Sequence, residues 1–76
     1  MLINTPAALD ALMTEVEEGT PAVICICCAI TGTRLVESAM LTAVMTDGRF
    51  EVVFADEDDG EIIEATFDLR YHAVSA

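Results

Sequence analysis

Lysine and tryptophan are absent from these 76 residues, and Arg34, Arg49 and Arg70 are the only strongly basic side chains. Fourteen acids oppose them, for a net charge of −11. Such a chain repels phosphate backbones and anionic bilayers and is drawn to basic surfaces. With a single tyrosine, it also offers little for bases to stack on. Direct nucleic-acid binding is therefore disfavoured on two counts. There is no glycine-rich phosphate loop. No apolar run reaches the roughly 18 to 20 residues of a membrane-spanning helix. The longest, "AVICICCAI", has the length of a strand. The opening "MLINTPAALD" lacks the basic segment and apolar stretch of a secretory signal. These absences lead us to expect a soluble, cytoplasmic protein.

What is present is apolar. The chain is 54% hydrophobic with a mean hydropathy of +0.53, too high for a disordered segment despite the charge. Its length predicts one domain, residues 1–76, with a small core. The acidity alone has two plain explanations, solubility and adaptation to high salt. Only the placement of the acids can add a third.

"NTPAALDALMTEVEEG" reads as a helix. Thr5 suits its N-cap, Pro6 its first position and Gly19 the residue past its end. Leu9, Leu12, Met13 and Val16 form one apolar stripe. Glu17 and Glu18 sit at the negative end of the helix dipole, where local stability gives no reason for them. "AVICICCAI" then predicts a strand ending at Thr31-Gly32-Thr33. Its inward set is Ile24, Ile26, Cys28 and Ile30, or Val23, Cys25 and Cys27 in the other register. Residues 34–46 fit a helix or a strand.

The turn signals favour the strand. Asp47-Gly48 predicts a two-residue hairpin loop of the kind that needs positive φ at both central residues. Closing it sets Met45 opposite Phe50, Ala43 opposite Val52 and Leu41 opposite Phe54. A second hairpin at Asp59-Gly60 sets Phe54 opposite Ala65, Val52 opposite Phe67 and Phe50 opposite Leu69. One face stays apolar across three strands, and a one-residue slip would destroy that agreement. The expected fold is α+β: one N-terminal helix packed on a four-stranded antiparallel meander, the last strand extending to Val74.

Three constellations invite chemistry. In "FADEDDGEIIEATFD", placing Gly60 at the sixth position of an EF-hand loop leaves Ala55 first and Thr66 twelfth, so the motif fails at both ends. Cys25, Cys27, Cys28 and His72 offer four potential zinc ligands, but the three cysteines lie within four residues of one strand. Adjacent strand residues face opposite sides, so the expectation is reduced thiols and a structural histidine. Glu64 and Asp68 are carboxylates without a surrounding cleft, so the chain is not expected to be an enzyme. No cofactor is expected.

The acids remain as a surface. In the register above, Glu51, Glu64 and Asp68 point outward, with Glu51 directly opposite Asp68. Like charges so opposed destabilise a sheet. Asp56, Glu57, Asp58, Asp59 and Glu61 continue the patch around the turn, with alternate residues roughly 6.6 Å apart. These eight residues are the candidate partner-binding site, and a basic nucleic-acid groove would accept them as it accepts phosphates.

A short, acidic, single-domain chain with a one-sided acid row ("FEVVFADEDDGEIIEATFD") resembles the small phage-encoded anti-CRISPR proteins that act as DNA mimics. The resemblance is one of profile over the whole chain, with no shared diagnostic motif. It implies a non-enzymatic inhibitor, working in a bacterial host cell, that occupies the nucleic-acid-binding surface of a Cas subunit. Two alternatives stay open: a metal- or redox-responsive domain built on Cys25, Cys27, Cys28 and His72, and an accessory domain whose acidity serves solubility alone. The expected assembly is a monomer or a weak homodimer, the latter through Val23, Cys25 and Cys27.

Overall fold

Thr5 begins the helix as its position predicts. Its Oγ1 accepts a hydrogen bond from the Ala8 amide at 3.1 Å, which satisfies one of the donors every helix start leaves open. The computed structural model describes residues 2–15 and 19–76. Helix α1 spans Pro6–Glu15. Leu9 is fully buried, and Leu12 and Met13 pack on the same core. The expected roles of Val16, Glu17 and Glu18 fall outside the described residues. Among those described, no helix is long and apolar enough to cross a membrane.

One antiparallel sheet carries the rest. It comprises β1 (Leu2–Ile3), β2 (Ala22–Cys28), β3 (Arg34–Val44), β4 (Arg49–Ala55), β5 (Ile62–Asp68) and β6 (His72–Ser75). The expected four-strand meander is β2 to β5, and residues 34–44 are strand. The sheet has six strands rather than four, ordered β1-β6-β2-β3-β4-β5. The final expected strand does not run straight to Val74. It breaks at Leu69–Tyr71, and β6 pairs with β2 instead.

That break forces the sheet to roll. In a flat sheet, four strand spacings of about 4.8 Å would separate β5 from β6. Only three residues join them, folded into a turn by the Tyr71 amide donating to the Asp68 carbonyl at 3.0 Å. The sheet therefore curls until the end of β5 meets the end of β2, where the Ala29 amide donates to the Tyr71 carbonyl at 3.0 Å. Inside the roll lie Ile24, Ile26, Ala39, Leu41, Phe50, Val52 and Val74, closed from one side by Leu9 and Ile3.

Both hairpins differ from their predicted registers, for one backbone reason. Type I′ turns need positive φ at the residue before glycine, and among the described residues none other than glycine adopts positive φ. Asp47 and Asp59 stay in ordinary backbone regions, so each loop is longer. In the first, Met45 pairs with Arg49 around a three-residue loop, and Gly48 at φ +100° supplies the left-handed step. In the second, the Asp56 amide donates to the Glu61 carbonyl at 2.8 Å across a four-residue loop.

The consequences are not equal. In the second hairpin the slip is two residues: Val52 lies opposite Ala65 and Phe50 opposite Phe67. An even slip keeps every side chain on its expected face, so Ala65, Phe67 and Leu69 still pack on the core. In the first hairpin, Leu41 pairs with Val52 but Ala43 with Glu51. Thr42 is the extra residue of a bulge, its hydroxyl donating to the Glu51 carbonyl at 3.1 Å. The bulge switches the inward set from Ala39 and Leu41 to Val44. In β2, Ile24 and Ile26 are inward, but Cys28 is only half-buried. Ile30 sits in the following turn, 87% exposed.

Candidate interaction surface

The eight predicted acids separate into two groups with different duties. Asp56, Asp59 and Asp68 shape corners. Asp56 Oδ1 accepts from the Asp58 amide at 2.8 Å, and Asp59 Oδ1 accepts from the Glu61 amide at 2.8 Å. Short acids at loop starts hold turns in this way. Asp68 goes further. Its carboxylate accepts from the Arg70 backbone amide at 2.9 Å and pairs with the Arg70 guanidinium at 2.7 Å. Only 13% of its side chain is exposed.

Asp68 is therefore not part of an outward row, and Glu51 does not oppose it. Its cross-strand partner is Arg49, whereas Glu51 lies opposite Thr66 and Glu64 opposite Val53. The expected like-charge pair came from the two-residue hairpin loops, and it disappears with them. The Arg70 guanidinium, assisted by the Arg70 amide, holds the Asp68 carboxyl below its ordinary range. A depressed folded-state pKa contributes stability above the unfolded value, and that contribution is lost as pH falls through the folded one. Asp68→Asn should thus be less stable than wild type at neutral pH, and the gap should narrow below about pH 4. Urea midpoints measured across that range check this; a gap of constant size would refute it.

Glu51, Glu57, Asp58, Glu61 and Glu64 form the second group. All are exposed, and none of their carboxylates takes part in a hydrogen bond or ion pair among the described residues. All three arginines are engaged elsewhere: Arg34 with Glu37 at 3.6 Å, Arg49 with Asp47 at 2.9 Å, and Arg70 with Asp68. The last two share an Asp-x-Arg spacing, and each caps a corner of the roll. That repeated spacing was the readable sign that Asp68 serves the fold.

Two concavities organise the free acids. A shallow one of about 360 Å³ on the outer sheet face brings Glu51 and Glu64 together with Thr42, Val53 and Thr66. A larger groove of about 650 Å³ opens where β3 separates from the hairpin tip, with Asp56, Glu57 and Asp58 on one wall and Arg34 and Glu37 on the other. A row of exposed Val23 and Met40 and half-buried Val53 crosses the outer face and ends at Glu64.

The sulfur atoms do not assemble a metal centre. Cys25 and Cys27 occupy the outer side of β2, while Cys28 lies opposite His72. Among the described residues, no three Cys, His, Asp or Glu side chains converge on a point. Burial, with the Cys25 thiol beside it, pushes the Cys27 thiol up, while the Thr31 hydroxyl and neighbouring amides hold Cys28 down. His72 is a packing residue. Its ring meets Phe67 edge-on at 4.8 Å, and Nδ1–H donates to the Asp68 carbonyl at 3.1 Å.

No family model matches the chain, and neither does any curated protein or solved structure. Function must therefore be argued from the surface. Its chemistry is that of uncompensated carboxylates held on a rolled, hydrogen-bonded scaffold. Such an arrangement suits the binding of cationic groups without covalent chemistry.

Proposed function

We propose that this chain is a non-enzymatic interaction protein whose β4–β5 hairpin occupies a basic, nucleic-acid-binding surface of another protein. A Cas subunit of a bacterial defence complex presents a surface of this kind. The observation that carries the reading is the engagement of all three arginines away from the hairpin acids. With the three arginines paired to Glu37, Asp47 and Asp68, the group Glu51, Glu57, Asp58, Glu61 and Glu64 has no ion-pair partner among the described residues and keeps a net negative field for an external one. Attached to a lysine- and arginine-lined groove, it would release counterions as a phosphate strand does and exclude the nucleic acid.

The test uses the immobilised chain in a bacterial lysate at low salt, eluted with a salt gradient. A basic nucleic-acid-binding protein should elute as ionic strength rises, because exposed charge pairs are screened within about 8 Å at physiological salt. Duplex DNA should compete with the chain for that protein. Retention that is insensitive to salt, or a partner that binds DNA and the chain at once, would overturn the reading.

A further inference from the structure

One strand of the roll has an unused side. β5 pairs with β4 over its whole length and with no other strand among the described residues. At the opposite end of the sheet the terminal strand, β1, is two residues long, too short to offer much of an edge. β5 is seven residues, "IIEATFD", with no proline, no lysine and no register shift. Proline, bulges and charge are the usual devices that blunt a free edge. β5 carries only charge, Glu64 and Asp68, which repels an acidic strand and not a basic one.

The hydrogen-bond phase identifies which groups are available. The Asp56 amide donates to the Glu61 carbonyl, and the Leu69 amide donates to the Gly48 carbonyl. Bonded and unbonded pairs alternate along an antiparallel ladder. The odd residues from 61 to 69 therefore bond to β4, and Ile62, Glu64 and Thr66 turn their amides and carbonyls to the free edge. Those same three side chains stand exposed on the outer face, while Ile63, Ala65 and Phe67 face inward and are only half-buried. Val52 and Phe50, opposite Ala65 and Phe67, are fully buried, whereas Phe54, opposite Ile63, is half-buried like its partner. The core is left partly uncovered along this one edge.

We propose that β5 takes up an extended segment of the basic partner as a seventh strand, with basic and apolar residues alternating along it. This rests on the reading of the acids as a partner surface and names how the partner docks. Side chains of the added strand that fall on the outer face lie beside Glu64, with Glu51 one strand further in. Those on the inner face cover Ile63, Ala65 and Phe67. Main-chain bonds give such additions their affinity, and alternate side chains their specificity. Charge selects the occupant: a second copy would bring another −11 to the same edge, whereas a basic strand is attracted to it.

Two synthetic peptides of equal charge provide the test, Lys-Val-Lys-Val-Lys-Val-Lys and Lys-Pro-Lys-Pro-Lys-Pro-Lys, both with blocked ends. Proline fixes φ at about −65° and holds the second peptide in a polyproline helix, so its backbone cannot lay down a regular ladder whichever amides face β5. The valine peptide should bind the isotope-labelled chain about tenfold or more tightly than the proline peptide. It should slow amide exchange at Ile62, Glu64 and Thr66. Thr66→Pro deletes an edge-facing amide and no bond to β4, so it should reduce the valine peptide to the affinity of the other. Equal binding of the two peptides would overturn strand addition while leaving the electrostatic reading standing. If neither binds at low salt, both fail. Protection of Ile62, Glu64 and Thr66 that rises with protein concentration, without peptide, would assign the edge to a second copy and overturn the proposal. Should Thr66→Pro fail to fold, the two peptides compared on the wild-type chain still decide.

Discussion

Phe50→Ala is expected to lose most of its resistance to urea. Phe50 is among the largest fully buried side chains, lying opposite Val44 on one strand and Phe67 on the other. Its ring stacks on Phe67 with centroids 6.0 Å apart. Removing a core phenylalanine costs about 3 to 5 kcal/mol, the spread reflecting how far the site can collapse. This site cannot collapse far, because β4 and β5 pair without interruption from Arg49 to Ala55 and Val44 of β3 lies opposite the ring. A chain of this size has roughly 4 to 11 kcal/mol of stability in total, and the self-repulsion of its acids favours the lower part of that range. Ile30→Ala is the control. Isoleucine 30 belonged to the expected inward set, yet it is 87% exposed, so its loss should change stability by no more than about 0.5 kcal/mol. A large effect at Ile30, or a small one at Phe50, would contradict the rolled core.

Reversal of the free acids should have the largest effect on binding. Glu51→Lys, Glu57→Lys, Glu61→Lys and Glu64→Lys together replace attraction with repulsion across the docking surface. Like charges brought together at an interface cost several kcal/mol, about a hundredfold or more in Kd. The measurement is the affinity for the basic protein recovered on the salt gradient, before and after reversal. The fold should survive, since all four side chains are exposed and none is used in a hydrogen bond or ion pair among the described residues. Thermal stability should hold or rise as the negative field weakens. Asp68→Lys gives the contrast: it places a cation beside Arg70 and Arg49 and removes the cap of the β5–β6 corner. Its effect should appear first as lost stability. Unchanged binding in the fourfold variant would end the case for a basic partner.

The sequence was informative wherever a feature depended on near neighbours. Thr5, Pro6 and the Leu9 stripe specify a helix through contacts within two turns. Alternation in β4 and β5 assigned Phe50, Val52, Phe54, Ala65 and Phe67 to the core side, and an even register slip left that assignment intact. The candidate site was legible in part. Exposure of Glu51, Glu57, Asp58, Glu61 and Glu64 follows from the same alternation and from their place on a loop. The duty of Asp68 was hidden because its meaning depends on Arg70 and Arg49 meeting at one corner, although the Asp-x-Arg spacing hinted at it.

The amino-acid order by itself thus determined the helix, the faces of β4 and β5, the acidic field and the absence of any metal-loop motif. These follow from composition and from the period of side chains along a helix or strand. Only the tertiary structure decided the loop lengths, the Thr42 bulge, the return of β6 to β2 and the free edge of β5. Each of these depends on backbone groups finding partners far along the chain. Side-chain pattern carries no record of which carbonyl a given amide will reach.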